Sequence, residues 1–180
     1  MTAATPEMSA YPPIHGAAVE TVVGFLARER LMNLGVNRPD GWPQVTTVGY
    51  VNEGLNLYFV TGRESQKLAN LQADSRVSLA IHTVVAMDGA VGMSMSGHAR
   101  EITDPAEIER LNRMIFERWP TVSVYCPTTT SVAVLRIKPE LICAISAVDG
   151  RSHSECFSLG DAADSSVAET PTISAEARLF

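Results

Sequence analysis

Three short β-rich segments separated by tight reversals, all within residues 31–61, limit what this chain can fold into more than anything else in it. Leu31 to Val36 reads as a strand, and Asn37-Arg38-Pro39-Asp40-Gly41 is a concentrated turn signal. Gln44 to Val51 follows, rich in β-branched residues (Val45, Thr46, Thr47, Val48), and Asn52-Glu53-Gly54 reverses the chain again. Leu55 to Thr61 then alternates Leu57 and Phe59 against Tyr58 and Val60. Strands joined by reversals this short run antiparallel, so the chain builds a meander and not a doubly wound parallel sheet.

Later segments extend the same pattern. Arg76 to His82 sets Val77, Leu79 and Ile81 against Ser78, Ala80 and His82, and Gly89 to Ile102 sets Met93 and Met95 against Ser94 and Ser96. Ser131 to Ile137 and Leu141 to Val148 read as two further strands broken by Pro139. Three helices fit between them. Ala18, Val22, Phe25 and Leu26 recur at helical spacing from Ile14 to about Arg30. A short helix opens at Ser65 with Leu68 and Leu71 on one face. Asp104-Pro105-Ala106-Glu107 starts a third, with Ile108, Leu111, Ile115 and Trp119 as its apolar stripe. The predicted architecture is mainly β, six or seven antiparallel strands in a barrel with helices at its ends.

Residues 1–13, with Pro6, Pro12 and Pro13, read as a flexible arm, and residues 14–159 as one domain. From 160 to 180 the chain turns small, acidic and polar, a tail outside the core. A chain of 180 residues with 46% apolar and 19% charged residues buries an adequate core without metal or disulfides. Its net charge of -6 gives no general attraction to nucleic acid or anionic lipid, so any phosphate site is local. No apolar stretch approaches the roughly 20 residues that span a bilayer. The first dozen residues lack the basic start and apolar run of a secretory signal. Cys126, Cys143 and Cys156 are far apart, odd in number and without zinc spacing, so neither a metal nor a disulfide framework is expected, and the expected compartment is the reducing cytoplasm.

Thr61-Gly62-Arg63-Glu64-Ser65-Gln66-Lys67-Leu68 carries the most chemistry. A strand ends, a short turn follows and a helix opens. Such a terminus presents unpaired N–H groups and the positive end of the macrodipole, both of which favour phosphate. Ser65 adds a hydroxyl and Lys67 a full charge, with Arg63 as a candidate second cation. A Ser-capped helix is common on its own account, but a lysine in its first turn opposes the dipole, which points to a compensating anion.

In order, Gly41-Trp42-Pro43-Gln44-Val45-Thr46-Thr47-Val48-Gly49-Tyr50, Leu57-Tyr58-Phe59-Val60-Thr61, Ser65-Gln66-Lys67-Leu68-Ala69-Asn70-Leu71 and Ser75-Arg76-Val77-Ser78-Leu79 resemble the pyridoxamine 5'-phosphate oxidase-like family. Ser96-Gly97-His98-Ala99-Arg100-Glu101-Ile102 and Leu135-Arg136-Ile137-Lys138-Pro139-Glu140 extend the resemblance over roughly Leu31 to Val148. It implies an FMN-binding split β-barrel, a homodimer with the flavin in a groove at the subunit interface, and a small-molecule substrate. Carried over, Lys67 and Ser65 bind the phosphate and Thr61 the phosphate or ribityl chain. Val45, Thr46 and Thr47 line the isoalloxazine, and Tyr58, Phe59 and Val60 flank it. Gln66 stands where the oxidases often carry arginine.

The oxidase's own substrate residues are not matched. Its Arg-x-x-Leu run corresponds to Pro43-Gln44-Val45-Thr46, its Arg-Gln pair to Val91-Gly92, and its Arg-x-His motif has a loose echo in Arg151-Ser152-His153. The resemblance therefore implies a flavin-dependent oxidoreductase of another substrate rather than a vitamin B6 oxidase. A deazaflavin-dependent reductase and a non-catalytic flavin- or heme-binding barrel are the alternatives. No residue stands out as a catalytic acid or base. His98 and His82 are candidates to face the site, although a strand histidine is ordinarily a structural hydrogen-bonding residue.

Overall fold

The computed structural model describes residues 11–86, 89–118, 131–148 and 151–160. In chain order the elements are α1 (Ala17–Arg28), β1 (Leu31–Asn37), β2 (Pro43–Gly49), β3 (Val51–Glu53), β4 (Asn56–Gly62) and α2 (Gln66–Ala73). Then come β5 (Arg76–Ala86), β6 (Gly89–Ile102), α3 (Pro105–Arg118), β7 (Val132–Val148) and β8 (Arg151–Ser158). All eight strands form one antiparallel sheet in the order β2-β1-β5-β6-β7-β4-β3, with β8 paired to β7 outside that path. The sheet curls on itself so that β2 approaches β4 without bonding to it, which leaves the barrel split along that side.

The meander forms where the turn residues require it. Gly41 has φ 84°, Asp40 Oδ1 accepts the Trp42 N–H at 3.1 Å, and the reversal ending β1 closes. Gly54, with φ 55°, turns β3 into β4, a conformation that costs a residue with a Cβ about 1–2 kcal/mol. The stretch expected as one strand from Gln44 to Val51 divides at Tyr50, which leaves the β2 line, bonds its N–H to Arg30 O at 3.0 Å and donates its phenol to Leu26 O at 3.0 Å.

β7 differs from its expected form in the opposite sense: it runs unbroken through Pro139. Pro139 faces Gly97 at a bulge between Ser96 and Gly97, so the missing proline donor falls where the ladder is already irregular. Gly97 is obligatory there, because a Cβ would lie 2.2 Å from Lys138 O.

Leu26, Met32, Leu34, Leu57, Ile81, Leu135, Ile137 and Ile142 fill the barrel interior, all but excluded from solvent. Met93 and Met95 pack there too. A second cluster forms outside the barrel, where Leu111 of α3 meets Val51, Tyr58, Ile102 and Val134. β4 is therefore buried on both faces, with Leu57 and Phe59 turned to the interior and Tyr58 to α3. Asp104 starts α3 as predicted, its Oδ1 accepting the Ala106 N–H at 3.0 Å.

Two expectations are corrected. β8, absent from the sequence reading, makes eight register pairs with β7. Cys143 and Cys156, expected as separate thiols, stand opposite each other in that register and are joined by a disulfide. Pro12 and Pro13 of the predicted arm are held: the Ser158 N–H bonds Pro12 O at 2.9 Å and Pro13 bridges Ser158. The rest of the arm (1–10), Met87, Trp119, Cys126 and the tail from 161 to 180 lie outside the described residues.

Candidate functional site

Around the start of α2 a small polar cluster forms. Ser65 is extended (φ -75°, ψ 145°) and its Oγ accepts the Leu68 N–H at 3.2 Å, the N-cap expected from sequence. The same Oγ lies 3.0 Å from Thr61 Oγ1, the last inward hydroxyl of β4. Lys67, in the first helical turn, is half-buried, and burial pushes its ammonium below the ordinary lysine range. No described carboxylate pairs with it. Arg63 is not a second cation for this cluster. Its Nη2 bonds Glu101 Oε1 at 2.7 Å and Val132 O at 3.2 Å, which fixes it toward β6 and β7.

A chain of amides ties α2 to β2. Gln66 Nε2 donates to Asn70 Oδ1 at 3.0 Å, and Asn70 Nδ2 donates to Gln44 Oε1 at 3.1 Å, with Asn70 fully buried. Gln44, Thr46 and Val48 share the inward side of β2, while Val45, Thr47 and Gly49 are exposed. Thr46 thus stands one inward step beyond Gln44, and its Oγ1 is buried with no hydrogen-bond partner. An orphaned hydroxyl of this kind costs about 1–3 kcal/mol.

The second feature is a cleft of about 950 Å3 at the split of the barrel. Thr47, Tyr58, Phe59 and Val60 line it, and so do Tyr50, Asn33, Arg28 and His82. Phe59 and Tyr58 are mostly enclosed by the two cores and present limited surface to the cleft. Thr47 Oγ1 donates to Asn33 Oδ1 at 2.8 Å. The Tyr58 phenol is pushed up, first by burial and then by the negative charge of Glu53, to which it donates at 3.3 Å. Arg110 of α3 grips the same Glu53, at 2.9 Å through Nη2, and clamps the helix to the β3–β4 turn.

Of the residues singled out from sequence, Thr61, Ser65, Gln66, Lys67 and Thr46 belong to the polar cluster or the face beside it. Thr47, Tyr58, Phe59 and Val60 border the cleft. Val45 does neither: it is 64% exposed on the outer face. β4 connects the two features, with Val60 in the cleft and Thr61, next along, in the cluster.

The two strand histidines part company. His82 lines the cleft. His98 Nδ1 is 2.8 Å from Ser75 Oγ and its Nε2 3.6 Å from Glu140, so it is engaged away from the cleft. Arg28, Asn33 and Tyr50 escaped the sequence reading. An arginine in the last turn of a helix is ordinary on dipole grounds, and nothing local marks it as bordering a cleft. Among the described residues no group of acidic, histidine and cysteine side chains is arranged to hold a metal.

A family model described as pyridoxamine 5'-phosphate oxidase matches residues 18–145. The chain belongs to this family. Solved structures agree on the fold. An FAD-binding protein from Mesorhizobium loti superposes with a TM-score of 0.62 at 17% identity, covering 74% of this chain and 96% of that one. A heme binding protein from Mycobacterium smegmatis gives 0.64 at 17% identity, with 78% of this chain matched to 58% of that one. A NimC/NimA family protein from Clostridium acetobutylicum gives 0.56 at 15% identity, covering 78% and 92%. No curated protein matches the chain. The predicted split barrel with flanking helices is thus the fold, carried by eight strands among the described residues. Family membership does not bring the oxidase's own substrate residues with it: the stretches noted above remain Pro43-Gln44-Val45-Thr46 and Val91-Gly92.

Proposed function

We propose that this chain is an FMN-binding flavoprotein that acts as an oxidoreductase on a small molecule, as a homodimer with the flavin groove at the subunit interface. The unpaired chemistry beside α2 carries the reading. A half-buried lysine lacks a counter-ion, the hydrogen-bonded Thr61–Ser65 pair leaves one hydroxyl hydrogen to place, and the buried Thr46 hydroxyl has no partner. A phosphate supplies oxygens to all three and compensates the lysine placed against the helix dipole.

Lys67 and Ser65 would hold the phosphate, with Thr61 beside it and Thr46 donating from β2. The Gln66–Asn70–Gln44 chain fixes α2 against β2 and so holds these donors in place. Further along β4, Val60 and the limited surface of Tyr58 and Phe59, with Thr47 across the split, would border a flat ring held in the cleft. The flavin supplies the redox chemistry when bound, and the chain supplies binding, orientation and exclusion of solvent. The FAD-binding relative supports a flavin in this fold.

The heme-binding relative supports a second reading, in which the cleft takes a heme and His82 is the ligand from this chain. Absorbance of the purified protein separates the alternatives, followed by mass spectrometry of whatever heat releases. Flavin bands and the mass of FMN establish the first reading. A deazaflavin mass keeps the phosphate cradle and changes the redox partner, and a Soret band lost in His82→Ala establishes the second. A colourless protein that takes up none of these removes all three.

A further inference from the structure

Cys143 and Cys156 lie outside both the cleft and the polar cluster, and their placement has its own logic. Their neighbours fix the side of the sheet on which they lie. Ile142 is fully buried and Phe157 packs against the barrel core, so the cysteines between them turn to the opposite face. There the next residue across the register on β6 is Ser94, exposed and small. On the other side, among the described residues, β8 meets only the bridge from Pro13 at Ser158, and no further strand follows. Both cysteines are half-buried at this open margin.

The bond also sits at a boundary along β8. Toward the C-terminal end, Leu159 is 1% exposed and its N–H bonds Glu140 O at 3.0 Å. Ser158 accepts the Ile14 N–H at 2.9 Å and donates its own N–H to Pro12. Toward the other end, Arg151 to Glu155 are all exposed, held by the ladder to β7 and by no buried side chain. The disulfide joins the strands where the anchored half gives way to the unanchored one.

We propose that Cys143–Cys156 is a thiol–disulfide exchange site, opened in the native fold by a small dithiol, whose state sets how tightly residues 151–155 are held. The chemistry balances as an ordinary exchange. A thiolate of the dithiol attacks Cys156 Sγ, the bond to Cys143 breaks, and Cys143 leaves as a thiolate that takes up a proton. The second thiol of the reagent displaces Cys156 from the mixed disulfide, and Cys156 is protonated in turn. The protein gains two electrons and two protons, and the dithiol becomes a cyclic disulfide. The barrel has no need of the bond, because the core residues and the anchored end of β8 are held by packing and backbone pairs independent of it. A reducing compartment and an oxidising one therefore give the same fold with different hairpin dynamics.

The test is differential alkylation with peptide mapping, paired with amide hydrogen exchange, on the full chain purified without reductant. Before treatment Cys143 and Cys156 should take no iodoacetamide. After dithiothreitol without denaturant both should be labelled, the far-ultraviolet circular dichroism should not change, and amides of 151–155 should exchange about tenfold faster while those of β6 keep their protection. The Cys143→Ser, Cys156→Ser double variant should exchange like the reduced protein, and reduced wild type supplies the same reading if that variant does not fold. Alkylation of both cysteines in untreated protein, a bond that opens only on unfolding, or equal exchange in the two states would each overturn the proposal. None of these readouts depends on whether flavin is bound.

Discussion

Thr46 and Lys67 each lack a partner suited to them, and each lack is measurable. Thr46→Val removes the orphaned hydroxyl and keeps the shape, so the ligand-free protein should gain about 1 kcal/mol of stability while FMN binds about tenfold or more weakly. Thermal unfolding with and without FMN reads both effects at once, and a variant that is less stable yet binds normally would refute the assignment. Lys67→Ala should weaken FMN by about 10- to 150-fold through loss of charge-assisted hydrogen bonds, as followed by fluorescence titration.

The pH dependence has two opposite signs. Burial lowers the Lys67 pKa in the folded, ligand-free chain, so the unfolded chain binds the proton more strongly and stability should rise as pH climbs from the depressed value to the ordinary lysine range. FMN affinity should fall over the same interval, because the phosphate is held by the protonated form. Denaturation and titration at matched alkaline pH values distinguish these trends, and a Lys67→Ala protein should show neither.

At the level of elements, backbone geometry decides more than side-chain pattern does. Gly97→Ala should destabilise the protein by about 1–3 kcal/mol or more, since the new Cβ meets the carbonyl of Lys138 head-on at a bulge that cannot open without breaking the β6–β7 ladder. Urea denaturation gives the value, and an unchanged midpoint would mean that the bulge relaxes freely. This bulge also explains why the sequence pattern predicts two strands where β7 runs as one. Pro139 breaks a regular ladder, and only the long-range pairing with Gly97 makes the break harmless. β8 leaves no signal in the sequence for another reason: Arg151-Ser152-His153-Ser154-Glu155 is exposed on both sides, so it carries no alternation. The helices and the meander were legible because their signals are local: a cap, a turn, a stripe at helical spacing. The polar cluster at the start of α2 was legible for the same reason, since Thr61, Ser65 and Lys67 fall within one turn and a helix start. The cleft was not, because Arg28, Asn33 and His82 come from separate elements.

For the whole molecule, the split in the barrel is flanked by exposed apolar side chains. Leu31 is 61% exposed, Val45 64% and Trp42 72%. Leu31 and Val45 project from the same face of the β1–β2 pair, and patches of this kind mark association surfaces. If a second copy covers them and completes the flavin groove, Val45→Glu should shift the protein toward monomer and release flavin in parallel. Sedimentation velocity at flavin and protein wavelengths follows both, and a monomeric variant that retains its flavin would separate the groove from the interface.

The polar cluster and the cleft also differ in how the chain encodes them. Residues from Thr61 to Asn70 are one continuous stretch, short enough to be inherited as a cassette, and a single strand–turn–helix unit keeps its parts in register. The cleft borrows its walls from α1, α3 and β1 to β5, so a change in one element reshapes one wall. What the cleft admits can therefore be altered from many places in the chain, while the helix-start cluster stays in register.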